Sequence, residues 1–175
     1  AGEAVAMGSV EPLRAVGDQS KSAVVDRMLD DIVGHFGGLD GIVANAGIGM
    51  AGQLHELTDE QWRAALEINT TSAFHLTRAA LTLLRRQGIG GSLVYVASKN
   101  VTAPGAGFGA YSASKAAMTQ LMRVAALEGG TFGIRANAVN PDAVFDNSLL
   151  WAGGIREERA AAHGVKPEEL EIGRA

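Results

Sequence analysis

The sequence predicts an α/β fold with a doubly wound parallel sheet. Four short apolar runs have the length and composition of buried strands, and they lie at residues 13–17, 40–44, 92–97 and 133–139. Longer segments between these runs carry apolar residues with the period of a helix. Strands and helices therefore alternate along the chain, which is typical of parallel strands joined by helices.

The composition indicates an ordinary globular protein and excludes several classes of partner. The 175 residues suit one domain over residues 1–175, with 47% hydrophobic and 19% charged residues. A net charge of −4 without a basic run gives nucleic-acid binding little electrostatic support. Cysteine is absent, so disulfides and thiolate metal sites are excluded. Because no apolar segment approaches the roughly 18–20 residues of a membrane span and the N-terminus lacks signal-peptide order, we expect no membrane partner and a cytoplasmic location.

The first strand is followed by a helix. Residues 1–10 have the composition of a helix tail, residues 13–17 form the predicted strand, and Asp18 follows at its end. Residues 20–36 carry an apolar stripe of helical period, and the Gly-Gly pair that follows supplies a common stop. Asp18 is a candidate ligand-binding residue at the strand end and, alternatively, the N-cap of that helix.

Small and polar residues follow the next strand. Asn45, Ala46 and Gly47 come directly after residues 40–44. Ligands of open α/β sheets bind outside the carboxyl ends of the strands, so Asn45 and Asp18 are both predicted at the ligand-binding edge of the sheet. The small side chains of Ala46 and Gly47 let a ligand approach the backbone closely.

A long helix is predicted from Thr58 to residue 86. Thr58 and Gln61 form a capping box at its start. Asn69 interrupts its apolar pattern, and a buried polar group needs partners, so we expect this residue to distort the helix or to hold a water. The alternative is a core asparagine that neighbouring backbone satisfies. The four histidines are scattered without metal-ligand spacing, so no metal site is predicted.

Ser98, Tyr111 and Lys115 form the most informative constellation. Ser98 ends the strand at residues 92–97, and the linker that follows is long and flexible enough to fold the strand end back toward the next helix. That helix is predicted to begin near Phe108 or Gly109 and to reach Glu128, with the Gly-Gly pair after it as the stop. Tyr111 and Lys115 are four residues apart, so they share one face of it.

The chemistry that this trio supports is proton transfer coupled to hydride transfer at an alcohol or carbonyl carbon. A free tyrosine has a pKa of about 10, and an ammonium group held close lowers it by favouring the phenolate. A serine hydroxyl can donate to the substrate oxygen and stabilise developing charge. The alternative for the spacing alone is a half-buried tyrosine beside a surface lysine.

The same residues resemble the catalytic signature of the short-chain dehydrogenase/reductase family. GAYSASKAAMTQLMRVAALEGGTFGIRANAVNP is similar to the family's active-site helix, following strand and cofactor loop, and DGIVANAG to its Asn-Ala-Gly motif. The resemblance runs from residue 15 to residue 141 and implies a Rossmann-like oxidoreductase that uses NAD or NADP. It implies that Tyr111 is the acid/base, and that Lys115 lowers its pKa and holds the nicotinamide ribose. Ser98 would bind the substrate oxygen, and Asn69 would anchor a proton-relay water.

The resemblance also implies a set of cofactor-binding residues, with an acid near the adenine ring. They are Asp18, Asn45, Ala46, Gly47, Tyr111, Lys115, Pro141, Asp142 and Val144. The sequence departs from the family's pattern at two places. Asp142 replaces the common glycine after the proline, and Lys99 with Asn100 replaces small or aliphatic residues after the serine.

Three family segments do not occur in this sequence. They are the phosphate-binding loop TGxxxGxG, the second strand, whose terminal residue selects NAD or NADP, and the last strand. We therefore expect an incomplete sheet that lacks the first strands and the last strand, in a partial NAD(P)-binding domain from a longer protein. Such a sheet would leave apolar faces uncovered.

Within the family, the segments SKN, PGAGFGAYS and NPDAVF resemble the dehydrogenase domain of bifunctional rhamnulose-1-phosphate aldolase/short-chain dehydrogenase proteins. That likeness implies a small hydroxy-aldehyde substrate such as lactaldehyde. Arg156 and Arg159 are candidate contacts to an anionic or hydroxylated substrate and, alternatively, solvated ion-pair partners of Glu157 and Glu158.

Two functions follow from the sequence. The first is an NAD(P)-dependent oxidoreductase that acts on a small-molecule alcohol or carbonyl. The alternative is a catalytically inactive nucleotide-binding or interaction domain, because the phosphate-binding loop is missing. In the family, two long helices like those at residues 58–86 and 108–128 commonly form the subunit interface, so we also expect a homo-oligomer.

Overall fold

The computed structural model describes residues 11–142, 154–162 and 164–169. In these ranges three strands form one parallel sheet in the order β1-β2-β3. Their bounds are Gly41–Ala44 for β1, Gly91–Val96 for β2 and Ile134–Val139 for β3. The predicted α/β fold with a parallel sheet is confirmed, and these three strands lie within one residue of their predicted bounds.

Five α-helices accompany the sheet in the described ranges. They are α1 at Ser22–Phe36, α2 at Asp59–Leu66, α3 at Ser72–Gln87, α4 at Gly109–Gly130 and α5 at Ile155–Ala162. A π-helical turn lies at Glu67–Thr71, and 3₁₀ turns lie at Lys99–Val101 and Pro167–Glu169. None of the helices in the described part of the chain is long and apolar enough to cross a membrane.

Local signals set the first helix boundaries as predicted. Helix α1 ends at Gly37, whose φ of 83° lies in the left-handed region that glycine favours. Helix α2 begins after Thr58, whose side-chain oxygen accepts the backbone N–H of Gln61 at 3.2 Å. The side chain of Gln61 in turn accepts the backbone N–H of Thr58 at 2.9 Å, so the capping box is confirmed.

Helices α3 and α4 pack side by side on one face of the sheet. The connections from β1 to β2 and from β2 to β3 each lead to the next strand on the same side in the sheet. Since such connections are right-handed, both helices lie on one face. On the other face, Val43 and Val139 are 63% and 48% exposed, so apolar surface is uncovered there, as expected for an incomplete sheet. The core between the helices and the sheet contains Ala73, Ala80, Leu84, Leu93, Tyr95, Ala97, Met118, Ala125, Ile134 and Ala136.

The predicted strand at residues 13–17 is wrong. This segment is irregular, and Val16 is 93% exposed. A strand preceding α1 would be the third strand along the chain of this fold, and β1 would be the fourth. In the usual sheet order 3-2-1-4-5-6, strands 2 and 1 lie between these two. The described residues supply neither of those two strands, and the segment therefore has no ladder to join. A cavity of about 240 Å³ lies between α1 and β1, lined in part by Val25 and Ile42.

Helix α4 ends at Gly130, two residues beyond its predicted end at Glu128, so the Gly-Gly pair forms its last two residues. A Cβ atom on Gly129 would lie 3.0 Å from the Cβ of Ile134, so a glycine here allows α4 to pack closely on β3. The chain turns instead at Gly133, whose φ is 70°. The helix tail predicted at residues 1–10 lies outside the described residues.

Candidate active site

Lys115 is buried on α4 at the carboxyl end of β2. The residue is 4% exposed, and its Nζ donates a 2.8 Å hydrogen bond to the carbonyl oxygen of Val96. Burial lowers the pKa of Lys115 from 10.5 to about 8, because desolvation disfavours the ammonium form. Lys115 therefore carries its positive charge in most molecules at neutral pH.

Tyr111 lies one turn before Lys115 on the same face of α4. It is 8% exposed, and its ring packs edge-on against Phe108 with centroids 6.3 Å apart. The Nζ of Lys115 lies 5.9 Å from the centroid of the Tyr111 ring. Since the lysine is buried beside the tyrosine, the alternative of a surface lysine at chance spacing is wrong.

Asn69 is fully buried in the π-helical turn Glu67–Thr71, so the predicted distortion of the long helix is confirmed. Its Oδ1 accepts the N–H of Ile48 at 2.8 Å, and its Nδ2 donates to the Ile48 carbonyl oxygen at 3.0 Å. The same Nδ2 donates to Ser114 Oγ at 2.9 Å, and that hydroxyl donates to the Tyr111 carbonyl oxygen at 2.7 Å. One amide thus ties the loop after β1 to the helix that carries Tyr111.

Gly47 is the point where Asn69 and Lys115 approach the backbone. A Cβ atom at residue 47 would lie 2.8 Å from Asn69 Oδ1 and 3.3 Å from Lys115 Nζ. Any side chain here would therefore displace the amide or the ammonium group. Asn45, Ala46 and Gly47 are themselves exposed at the sheet edge, which leaves this backbone open to a ligand.

Ser98 lies just past the end of β2 and is 7% exposed. Its Oγ accepts the backbone N–H of Asn100 at 3.2 Å, which leaves the hydroxyl hydrogen available to donate. The preceding N–H, of Ala97, donates to the carbonyl oxygen of Val139 at 2.9 Å and extends the ladder between β2 and β3. The serine is thus held at the same end of β2 that receives the ammonium of Lys115.

Residues after β3 are tied to the turn that carries Ser98. The N–H of Lys99 donates to the carbonyl oxygen of Pro141 at 3.0 Å, and Lys99 Nζ lies 2.7 Å from Asp142 Oδ1. Pro141 and Asp142 therefore lie at the carboxyl edge of the sheet, and their binding of a cofactor stays a prediction. Val144 lies outside the described residues.

Asp18 lies in an exposed turn before α1. Its Oδ1 accepts the N–H of Ser20 at 2.9 Å, and hydrogen bonds from Ser20 lower the pKa of this carboxyl group. The N-cap of α1 is Lys21, so the alternative assignment of Asp18 as N-cap is wrong, and its carboxylate forms an Asx turn instead. None of the contacts among described residues joins Asp18 to Asn69 or Lys115.

Arg156 links α5 to the 3₁₀ turn that follows it. Its Nε donates to the carbonyl oxygen of Pro167 at 2.9 Å, and Glu157 is exposed. The side chains of Glu158 and Arg159 lie outside the described part of the chain. The roles of both arginines toward a substrate stay predictions.

Sequence reasoning missed two polar residues of this cluster. Ser114 is fully buried between Asn69 and the backbone of Tyr111. The Oγ1 of Thr70 donates to the Ser114 carbonyl oxygen at 2.9 Å. A signal for Ser114 was present, since it follows Tyr111 by three positions and so shares its helix face.

The polar groups at this edge fit a nicotinamide cofactor, the group that the resemblance implies. An ammonium group has three N–H donors and Val96 accepts one of them, so Lys115 can also donate to sugar hydroxyls. The small residues at 45–47 keep the neighbouring backbone accessible. By contrast, no group of three His, Cys, Asp or Glu within the described ranges could hold a metal ion.

Together, the parallel sheet and the polar cluster at its carboxyl edge define an α/β protein of the nucleotide-binding type. Comparison with known proteins makes the class specific, because the family model for short chain dehydrogenases matches residues 3–148. The chain belongs to the short-chain dehydrogenase/reductase family.

Three similar proteins place the chain within this family. It is 43% identical over 136 residues to "Uncharacterized oxidoreductase YuxG" of Bacillus subtilis, covering 78% of this chain and 20% of that protein. It is 41% identical over 127 residues to an uncharacterized NAD-dependent oxidoreductase of Mycobacterium tuberculosis, covering 73% and 46%. A crystal structure of a short chain dehydrogenase from Mycobacterium smegmatis matches with a TM-score of 0.71 and 36% identity, covering 73% of this chain and 53% of that one.

These matches confirm the Rossmann-like fold class and the assignment to a family of oxidoreductases. The chain spans between one fifth and about half of the length of these relatives. The activity of the whole protein is therefore a proposal.

Proposed function

We propose that the protein is an NAD(P)-dependent oxidoreductase that interconverts an alcohol and a carbonyl by hydride transfer. The observation that carries this proposal is the buried ammonium of Lys115, held by Val96 one turn from Tyr111 at the carboxyl edge of the sheet. A buried cation beside a phenol is the arrangement that general acid/base catalysis by tyrosine requires.

In the proposed mechanism, Tyr111 accepts the hydroxyl proton when the alcohol is oxidised and donates a proton to the substrate oxygen when the carbonyl is reduced. The ammonium of Lys115 lies beside the Tyr111 ring, and its other N–H groups would bind the nicotinamide ribose. The hydroxyl of Ser98, whose Oγ is oriented by the N–H of Asn100, donates to the substrate oxygen. The bound nicotinamide supplies the hydride acceptor or donor.

Asn69 supports a proton relay in this proposal. Both N–H groups of its side-chain amide donate to protein atoms, at Ile48 and Ser114. The group of Asn69 that would bind the relay water is therefore its backbone carbonyl. This carbonyl lies in a π-helical turn rather than in a regular α-helix. The side chain then serves to fix this turn against the loop after β1 and against α4.

We further propose a small hydroxy-aldehyde such as lactaldehyde as substrate, on the resemblance to bifunctional aldolase/dehydrogenase proteins. The match to YuxG is consistent with a bifunctional architecture, because the matched part is only 20% of that relative. The cofactor is NAD or NADP, and the relative from Mycobacterium tuberculosis is named as NAD-dependent.

A homo-oligomer through the long helices is part of the same proposal. Phe74 on α3 is 42% exposed, and Val124 and Leu127 on α4 are 41% and 81% exposed. Exposed apolar side chains on adjacent helices are typical of a surface that a second copy covers. The mass in solution should therefore exceed that of one chain. A monomer mass at all protein concentrations would contradict the proposed homo-oligomer.

The function is tested with the full-length protein, lactaldehyde and NADH or NADPH. We expect cofactor oxidation that depends on the aldehyde, together with cofactor binding measured by fluorescence. Binding without turnover of lactaldehyde or of other small carbonyls and alcohols would favour the inactive nucleotide-binding domain. The absence of both cofactor binding and turnover would reject the oxidoreductase and the inactive nucleotide-binding domain alike.

A further inference from the structure

Lys99 and Asp142 form an ion pair across the carboxyl ends of β2 and β3. Their Nζ and Oδ1 atoms are 2.7 Å apart, and the two side chains are 23% and 28% exposed. Each residue departs from the family's pattern, which has a small or aliphatic residue after the serine and a glycine after the proline. The two departures therefore meet in one contact.

The ion pair completes a clamp on the backbone that flanks Ser98. Before Ser98, the N–H of Ala97 is bonded to a carbonyl oxygen of β3 at 2.9 Å. After Ser98, the N–H of Lys99 donates to the carbonyl oxygen of Pro141 at 3.0 Å. The side chain of Lys99 then reaches the next residue, Asp142, and holds this second hydrogen bond in place.

A different role for Lys99 would be to attract an anionic substrate. Its charge is already matched by a carboxylate at 2.7 Å, so little of it is offered to a ligand. The pair is also shorter and less exposed than the surface pair of Lys21 and Glu67, which are 3.7 Å apart and 63% and 45% exposed. A shielded pair of this kind is better suited to fixing two chain segments than to binding substrate.

We propose that the Lys99–Asp142 ion pair is a positioning pair, which holds the Ser98 hydroxyl in place for the substrate oxygen. The inference rests on the proposed role of Ser98. Both side chains act through the backbone, on the hydrogen bond from the Lys99 N–H to the Pro141 carbonyl oxygen directly after the serine. Loss of the Lys99 side chain should therefore slow the chemical step without weakening cofactor binding, since Lys99 is not one of the predicted cofactor-binding residues.

The test compares full-length wild-type protein with Lys99→Met, Asp142→Asn, the double variant and the charge-swapped Lys99→Asp/Asp142→Lys variant. With lactaldehyde and NADH as probes, each single variant should lose about fivefold in kcat, and the Kd for NADH should stay within about twofold in Lys99→Met. The double variant should lose no more than either single one, because the pair is already broken, and the swapped pair should recover most of kcat.

A matched control breaks an ion pair of the same length elsewhere. Arg63 and Asp59 on α2 also lie 2.7 Å apart, but their side chains are 68% and 79% exposed. Helix α2 packs on α4 and on the π-helical turn. Arg63→Met should keep the wild-type kcat. An equal loss in this control would show that the effect of Lys99→Met is a general loss of stability, and would overturn the inference.

A second measurement does not depend on turnover. Hydrogen exchange at the Lys99 amide, which donates to Pro141, should be about fivefold faster in either single variant without cofactor. If the wild-type protein shows no turnover, the proposed function fails, whereas faster exchange still supports the clamp. Unchanged exchange in both single variants, or losses of kcat that multiply in the double variant, would overturn the inference.

Discussion

The Nζ atom of Lys115 donates a 2.8 Å hydrogen bond to the carbonyl oxygen of Val96, and this contact fastens helix α4 to strand β2 two residues before Ser98. A buried ammonium group loses its hydration, and one backbone oxygen replaces only part of it. This desolvation lowers the pKa of Lys115 to about 8. The positive charge of the site is therefore fixed in position at a cost in stability.

The cost predicts a pH dependence of stability. The pKa of Lys115 is about 8 when folded against 10.5 in its unperturbed state, so between these values the unfolded chain binds more protons and a higher pH favours folding. From about pH 7.5 to about pH 9.5, the free energy of unfolding should rise by about 2 kcal/mol more for wild type than for Lys115→Met. Urea unfolding at both pH values measures it, and parallel pH curves for the two proteins would contradict it.

Gly47→Ala should disturb the site because the new Cβ would lie 2.8 Å from Asn69 Oδ1. We expect a loss of about 1–3 kcal/mol in the free energy of unfolding, as for other overpacked sites, and weaker NADH binding. Gly34→Ala is the matched control, since a Cβ on this helix α1 residue would meet nothing within 4 Å. The control should be stabilised by roughly 0.5–1 kcal/mol. Equal responses of the two variants to urea would show that residue 47 is not crowded.

Asn69→Ala removes the amide that satisfies both backbone groups of Ile48. The Ile48 groups are partly buried, and the Ser114 hydroxyl, which also loses its donor, is buried. A buried group left without a partner costs about 1–3 kcal/mol, so the variant should lose about 2 kcal/mol in unfolding free energy. Asn137→Ala, at an exposed position of β3, should stay within about 0.5 kcal/mol of wild type. Thermal and urea unfolding compare the two, and an Asn69 variant as stable as the Asn137 variant would be inconsistent with the network.

Much of the fold and of the candidate site could be predicted because the signals are local. The helical period alone placed Tyr111 and Lys115 on one face. The capping box at Thr58 fixed the start of α2, and a polar residue in an apolar stripe predicted a distortion at Asn69. Each of these features depends on residues within a few positions of one another.

The features that could not be predicted depend on residues distant in the sequence. Residues 13–17 have strand composition, but a strand also needs a neighbour to pair with. The Gly-Gly pair predicts a helix stop, yet Gly129 lies within α4 and allows this helix to pack closely on Ile134. The contact between Lys99 and Asp142 joins two positions that the sequence shows only as separate departures from a pattern.

The central claim is that Tyr111 is the acid/base, and its most direct test compares the kinetics of Tyr111→Phe and Tyr95→Phe. These variants replace the two tyrosines of the chain one at a time. Tyr95 is buried in the core, where its hydroxyl lies 2.6 Å from Thr77 Oγ1, so its replacement controls for the loss of a buried phenol hydroxyl. Tyr111→Phe should lower kcat by a factor of about 10²–10⁴ with the Kd for NADH within about twofold, while Tyr95→Phe keeps kcat. Retained turnover in Tyr111→Phe would contradict the assignment of this residue as the acid/base.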